Sequence, residues 1–355
     1  MVNRNTGLHL ILAAAITTGL ILAVISHPFQ IYHSLAQQQS SSSSSHLKVA
    51  FVTDGKFSDG GWGATGYNAT QVLKSKYGVQ LTASDGISIP DIESTLRGYA
   101  DSGYNLIIAQ GFQWGDPVVK VAPDYPDVKF VVMTGTVKLQ PNVASIFPMQ
   151  QQGSFLLGAL AAMMSKTHII GFVGGQEYPN VINIEEGYKQ GAKYINSNLK
   201  VLTSYVGEWN NPAKGKETAL AEINSGADFL LHVADTSGHG VIDAAQEKGV
   251  YAFGAVADQN KLAPNTVLTS FVLDMDKAYD QAFKQVQKGN FQAEITKPGL
   301  ETQKGGPQDG IIYLASFHSL DSKVPAQVKN RLGQITDSLI KGRIQVPERT
   351  AATPS

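Results

Sequence analysis

His232 and His239 are the first residues whose type and spacing invite a chemical reading, since imidazole both ligates metals and carries protons near neutral pH. They fall at a strand end and in the first turn of the next helix, with no third ligand at metal-binding spacing, so structural histidines are expected. The sequence contains no cysteine. That removes disulfides, thiolate nucleophiles, Cys-ligated zinc and iron–sulfur clusters, and leaves oxygen and imidazole chemistry. This chemistry is not organised for catalysis: the phosphate loop, the dinucleotide fingerprint, the Gly-x-Ser-x-Gly elbow and the His-Glu-x-x-His zinc helix are all missing. Gly171–Gly175 lacks the lysine and spacing of a phosphate cradle and reads as a tight turn. Lys214 and Lys216, beside Glu217 and Glu222, read as a solvated helix start with i to i+4 pairing. The expectation is no enzyme activity, no cofactor and no resident metal.

Composition narrows the partners. With 355 residues, 43% of them hydrophobic, the chain is long enough for two lobes of about 120 to 150 residues each. A net charge of −1 and a charged fraction of 16% supply no positive field for a polyanion, which argues against nucleic acid. At the N-terminus Arg4 precedes an apolar run from Leu8 to Ile25, followed by the serine tract Ser40–Ser45, the pattern of a membrane-targeting segment. The missing cysteine excludes a lipobox. The run is expected either to be cleaved, with Ala36 a suitable site, or to stay as an anchor with the serines as tether. Either outcome places the folded part outside the cytoplasm.

From Leu47 onward, strand-length apolar runs alternate with helical patterns, which predicts parallel sheets covered by helices. Expected strands are 48–53, 79–83, 106–109, 129–133, 168–173, 201–206, 229–233, 250–254 and 311–315. Val324, Val328, Leu332, Ile335 and Leu339 recur at helical spacing and predict an amphipathic helix over 322–341. The fold class is α/β, as two doubly wound Rossmann-like lobes. Residues 47–147 with 271–300 form the first lobe, and 148–270 with 301–347 the second. Residues 1–46 form the targeting segment and linker, and 348–355 a tail. Ligands bind such sheets at the carboxyl ends of the strands, so a cleft between the lobes is the expected site.

Ordered blocks of sequence then resemble a known family. They run from Thr53-Asp54-Gly55-Lys56-Phe57-Ser58-Asp59-Gly60-Gly61-Trp62 and Gly111-Phe112-Gln113-Trp114-Gly115-Asp116 to Gly171-Phe172-Val173-Gly174-Gly175. Further blocks are Pro212-Ala213-Lys214-Gly215-Lys216-Glu217, Ala257-Asp258-Gln259 and Leu268-Thr269-Ser270. Over about Leu47 to Pro347 the chain resembles the basic membrane protein family, purine-nucleoside-binding relatives of the type I periplasmic-binding proteins. The resemblance implies a clamshell with a hinge that grips a purine ring between aromatic faces and carboxylates. By position it nominates Asp59 and Asp116 as polar contacts and Trp62 and Trp114 as stacking faces, beside Phe112, Tyr178 and Asp258. Gly238 precedes a helix, so its amide either faces a ligand or belongs to a plain helix start. The implied partners are a small-molecule ligand and an ABC permease in the membrane, with the chain acting as a monomer.

The sequence also departs from that pattern. Val256 and Leu273 stand where nucleoside-binding members hold ribose hydroxyls with Asp and Lys. Ile184 replaces a stacking aromatic, and Gly63 an asparagine. Either Tyr178, Glu177 or Asp235 substitutes, or the ligand differs from a nucleoside, for example a free base. A tethered receptor that signals to a membrane partner is the alternative to a transport component.

Overall fold

The computed structural model describes residues 47–300 and 310–349. The expected targeting segment and serine tract lie outside those residues, as do 301–309 of the expected second lobe and the end of the tail. Among the described residues no helix is long and apolar enough to cross a membrane.

Two six-stranded sheets organise the chain. The first holds β1 (Lys48–Thr53), β2 (Gln80–Ser84), β3 (Leu106–Gln110), β4 (Lys129–Met133), β5 (Val143–Ile146) and, late in the chain, β11 (Ile295–Thr296). Its order is β11-β5-β4-β3-β1-β2 and every pairing is parallel. The second holds β6 (Ile169–Gly174), β7 (Lys200–Tyr205), β8 (Phe229–Val233), β9 (Tyr251–Val256), β10 (Val267–Leu273) and β12 (Ile312–Leu314). Its order is β12-β10-β9-β8-β6-β7, parallel except for the antiparallel β12. Apart from the outermost strand, both sheets run 2-1-3-4-5 in their own sequence order, the doubly wound arrangement that gathers loops at the carboxyl ends of the central strands.

Burial on both faces explains the near-continuous apolar runs in the central strands, since helices cover the two sides of a parallel sheet. Alternation along β1 sends Val49 and Phe51 into one apolar cluster and Ala50 and Val52 into another. Along β6, Ile170 and Phe172 face the same cluster as Phe51, while Val173 faces a third. One continuous core therefore joins an inner face of each sheet.

The helices are α1 (Trp62–Tyr77), α2 (Ile92–Asp101), α3 (Gly115–Val121), α4 (Gln150–Met164), α5 (Pro179–Ile195), α6 (Pro212–Asn224), α7 (Asp235–Lys248), α8 (Met275–Gln287) and α9 (Ala326–Ile340). The chain crosses between the sheets after β5, after β10 and after β11. On the second crossing α8 packs against α1 of the first half, where Asp280 accepts hydrogen bonds from Lys76 Nζ at 2.7 Å and Tyr77 Oη at 2.6 Å. The C-terminal amphipathic stripe lies where the spacing put it: Val328, Leu332, Ile335 and Leu339 are buried and α9 rests on α4. The helix starts at Ala326 and not at 322, because a 3-10 turn at His318–Lys323 and then Pro325 occupy the approach.

Candidate ligand-binding cleft

A narrow cleft, partly open to solvent, lies at the carboxyl ends of the central strands of both sheets. From the first sheet come Asp54 just after β1, Gly111, Phe112 and Gln113 after β3, and Thr134 after β4. Trp62 joins them at the start of α1. From the second come Tyr178, Asn180, Val181 and Ile184 around the start of α5, and Trp209 after β7. Val233 and Asp235 follow at the end of β8, and Val256 ends β9. Gln150, at the start of α4 on the first crossing, completes the wall.

Aromatic rings span the opening. Phe112 and Tyr178, from opposite sheets, place their centroids 6.3 Å apart at 38°. Tyr178 and Trp209 are 5.9 Å apart at 57°. The Trp209 ring has room because Gly175 lies beneath it: a Cβ there would sit 2.2 Å from the indole. Gly171–Gly175, read in the sequence as a tight turn, instead continues β6 as far as Gly174, and Gly175 just beyond it clears space for the aromatic wall. On the other side Gln110 fixes the Trp62 backbone. Its Nε2 donates to the Trp62 carbonyl at 2.6 Å, and its Oε1 accepts from Tyr279.

The electrostatics are one-sided. The lining holds two carboxyls, Asp54 and Asp235, and no lysine, arginine or histidine. Burial raises the Asp54 pKa, against which its own and Gly55's backbone amides and the Gln113 side chain act. Asp235 is raised well above the ordinary carboxylate range, first by burial and then by the charges of Asp59 and Asp54. It keeps part of its surface accessible from the cleft. Burial and Asp54 also raise the Tyr178 phenol. The backbone is unusual at the same place: among non-glycine residues with positive φ, Thr134 (60°), Asp235 (46°) and Val256 (69°) all line the cleft. Such conformations cluster at functional sites because the surrounding fold must hold them.

Of the residues nominated from sequence, Trp62, Phe112 and Tyr178 line this cleft and the other five lie outside its lining. Asp59 is buried under the start of α1, where its carboxylate accepts from the amides of Gly61 at 2.8 Å, Gly63 at 2.8 Å and Ala64 at 3.0 Å. Trp114 is fully buried in the apolar cluster with Val118 and Val132. Asp116 is exposed in the first turn of α3. The Gly238 amide donates to the Ala234 carbonyl at 3.2 Å inside α7, and its missing Cβ makes room for the His232 ring. Asp258 accepts from His318 Nε2 at 2.7 Å and from the Asn260 amide at 3.2 Å. Asp54, Gln113, Thr134, Gln150, Asn180 and Trp209 were not nominated. Asp54 and Gln113 sit inside the two quoted loop motifs, Asp54 five positions before Asp59 and Gln113 between Phe112 and Trp114.

Neither histidine forms a metal site, and no group of three or more His, Asp or Glu among the described residues could hold a cation. His232 is buried, and burial followed by the nearby His239 lowers its pKa to about 4, so the ring stays neutral.

Comparison with known proteins adds a lineage. Residues 46–348 match the family model described as ABC transporter substrate-binding protein PnrA-like. Basic membrane protein A of Borreliella afzelii is 30% identical over 305 residues, covering 84% of this chain and 91% of that protein. A purine-binding protein of Brucella abortus is 30% identical over 298 residues, covering 83% and 81%. A crystal structure of an ABC transporter solute-binding protein from Aeropyrum pernix superposes with a TM-score of 0.76 over 85% of this chain and 94% of that one. At 22% identity it supports the fold alone.

Proposed function

Because the chain belongs to the family of PnrA-like ABC transporter substrate-binding proteins, we propose that it captures a flat polar ligand of the purine base or nucleoside class in this cleft and delivers it to a membrane permease. The observation that carries the reading is the lining itself. Rings from both sheets flank a space whose polar edge is made of carboxyls and amides, so a ligand in it touches both halves at once. A molecule that contacts both halves favours their closed arrangement through its differential affinity for it. Closure then presents a composite surface to the permease, outside the cytoplasm, where substrate-binding proteins of ABC importers act. The Brucella relative's name, purine-binding, supports the ligand class. Aromatic faces stack on a purine whatever its substituents, while Val256 and Ile184 give the wall an apolar stretch.

For a ligand of about 20 heavy atoms, about −0.4 to −0.5 kcal/mol per atom gives about −8 to −10 kcal/mol, a micromolar to sub-micromolar Kd. Calorimetric titration with nucleosides, nucleobases, sugars and amino acids tests the reading. A purine base or nucleoside binding in that range is expected. Preferential binding of a sugar or an amino acid would refute the ligand class.

A further inference from the structure

Resting on the solute-binding reading above, we propose that Asp235 is the specificity-determining residue of the cleft, and that the ligand is a flat nitrogen heterocycle offering N–H donors to it and carrying no anionic group. Three independent features of the structure lead there.

The first is an imbalance of acceptors. Asp59 spends its carboxylate on three backbone amides, and the rise that burial imposes on the Asp54 pKa is opposed by nearby amides and Gln113. The Asp235 carboxylate has no hydrogen-bond or ion-pair partner among the described residues, although it stands deep in the cleft. Asn180 Oδ1, in the same wall, is buried and also without a partner. Buried polar groups in folded proteins are nearly always satisfied, so the open Asn180 oxygen, beside the part-exposed and unpartnered Asp235 carboxyl, marks where donors arrive from outside the chain.

The second is conformational. Asp235 opens α7 with φ of 46°, a region that glycine enters freely and an aspartate enters with strain. A carboxyl held there, part-exposed to the cleft, is kept against backbone preference. The combination is expected of a group retained for what it binds.

The third is the absence of a balancing cation in the lining. Asp54 and Asp235 approach the same space from opposite sheets with no Lys, Arg or His between them. A phosphorylated ligand would bring negative charge into a space that holds two carboxyls and no cation to balance it. A ring bearing an amino group, or a protonated ring nitrogen, would instead satisfy the open acceptors while its faces meet Trp62, Phe112, Tyr178 and Trp209.

Matched ligands read this directly. Adenine against unsubstituted purine, and adenosine against purine riboside, differ only in the exocyclic amine, and adenosine monophosphate adds the anion. The purified protein is expected to bind the amine-bearing member of at least one pair tenfold or more tightly than its partner, and the monophosphate at least tenfold more weakly than adenosine. Asp235→Asn should shrink the amine preference to within about threefold. Asp235→Gly should weaken the amine-bearing ligand tenfold or more while leaving the Tm of the empty protein unchanged or raised, a split that a merely structural role would not produce. Equal affinity within both pairs, wild-type selectivity in the variants, or tight binding of the monophosphate would overturn the assignment of Asp235 and leave the solute-binding reading intact. Failure of every purine to bind would overturn the purine class and this inference together.

Discussion

Phe112, just after β3 of the first sheet, and Tyr178, at the start of α5 beside the second, hold their ring centroids 6.3 Å apart across the cleft. Together with Trp209, 5.9 Å beyond Tyr178, they make a wall to which both halves contribute. None of the three is fully buried, so their removal should register in binding more than in folding. Trp209→Ala and Phe112→Ala are each expected to weaken the ligand by about 1–3 kcal/mol, roughly 5- to 150-fold. The urea midpoint should move little. Calorimetry beside urea unfolding checks the pair of outcomes.

Asp59→Ala should behave the opposite way. Its carboxylate satisfies three amides at the start of α1, and loss of such a cap costs about 1–2 kcal/mol of stability. Affinity measured on the folded fraction should stay within a few-fold of wild type. A large loss of affinity at unchanged stability would make the carboxylate a ligand contact instead.

His232 should make the protein acid-sensitive. Its folded pKa of about 4 lies below the ordinary 6.5, so the unfolded chain takes up the proton first. The stability this contributes is whole above about pH 6.5 and is lost as pH falls toward 4. At pH 5 the loss is about 2 kcal/mol. Urea unfolding at pH 7.5 and pH 5 should show it in the wild type and not in His232→Gln.

Glu222 runs the other way. It is buried on α6 against Gly171 and Leu230 with no direct partner for either carboxyl oxygen, and the Ser204 hydroxyl nearby only softens the cost of burial. Its pKa is pushed up to about 8, so stability is whole below the ordinary 4.5 and is lost as pH rises toward 8. Glu222→Gln should match the wild type near pH 4.5 and exceed it at pH 8 by about 4 kcal/mol, read as a higher urea midpoint.

Much of this architecture was legible in the sequence because its strongest signals are apolar runs and periods. The runs of β1, β3, β4 and β8 are near-continuous apolar stretches of strand length, and the α9 stripe repeats every three to four residues, signals that burial imposes directly. Strand β10 was not expected, because Thr269 and Ser270 interrupt its apolar run and only the fold shows them buried. Strands β5 and β11 are too short to carry a period. The cleft was legible as two loops but not residue by residue. Asp54 and Asp59 stand in one loop, and only the backbone decides which carboxylate turns to the cleft and which caps α1. Trp209 left no local signal, since its place depends on Gly175, which lies 34 positions earlier and meets it only through the pairing of β6 with β7.

Native mass spectrometry of the chain, purified without denaturation and then incubated with purine bases and nucleosides, tests most directly whether both halves share one guest. The expected spectrum shows one small molecule per chain, retained by the wild type and lost when Phe112 from one side and Trp209 from the other are replaced together by alanine. A wild-type chain that stays bare, or a double variant that holds the same molecule as firmly, would contradict a cleft gripped from both sheets.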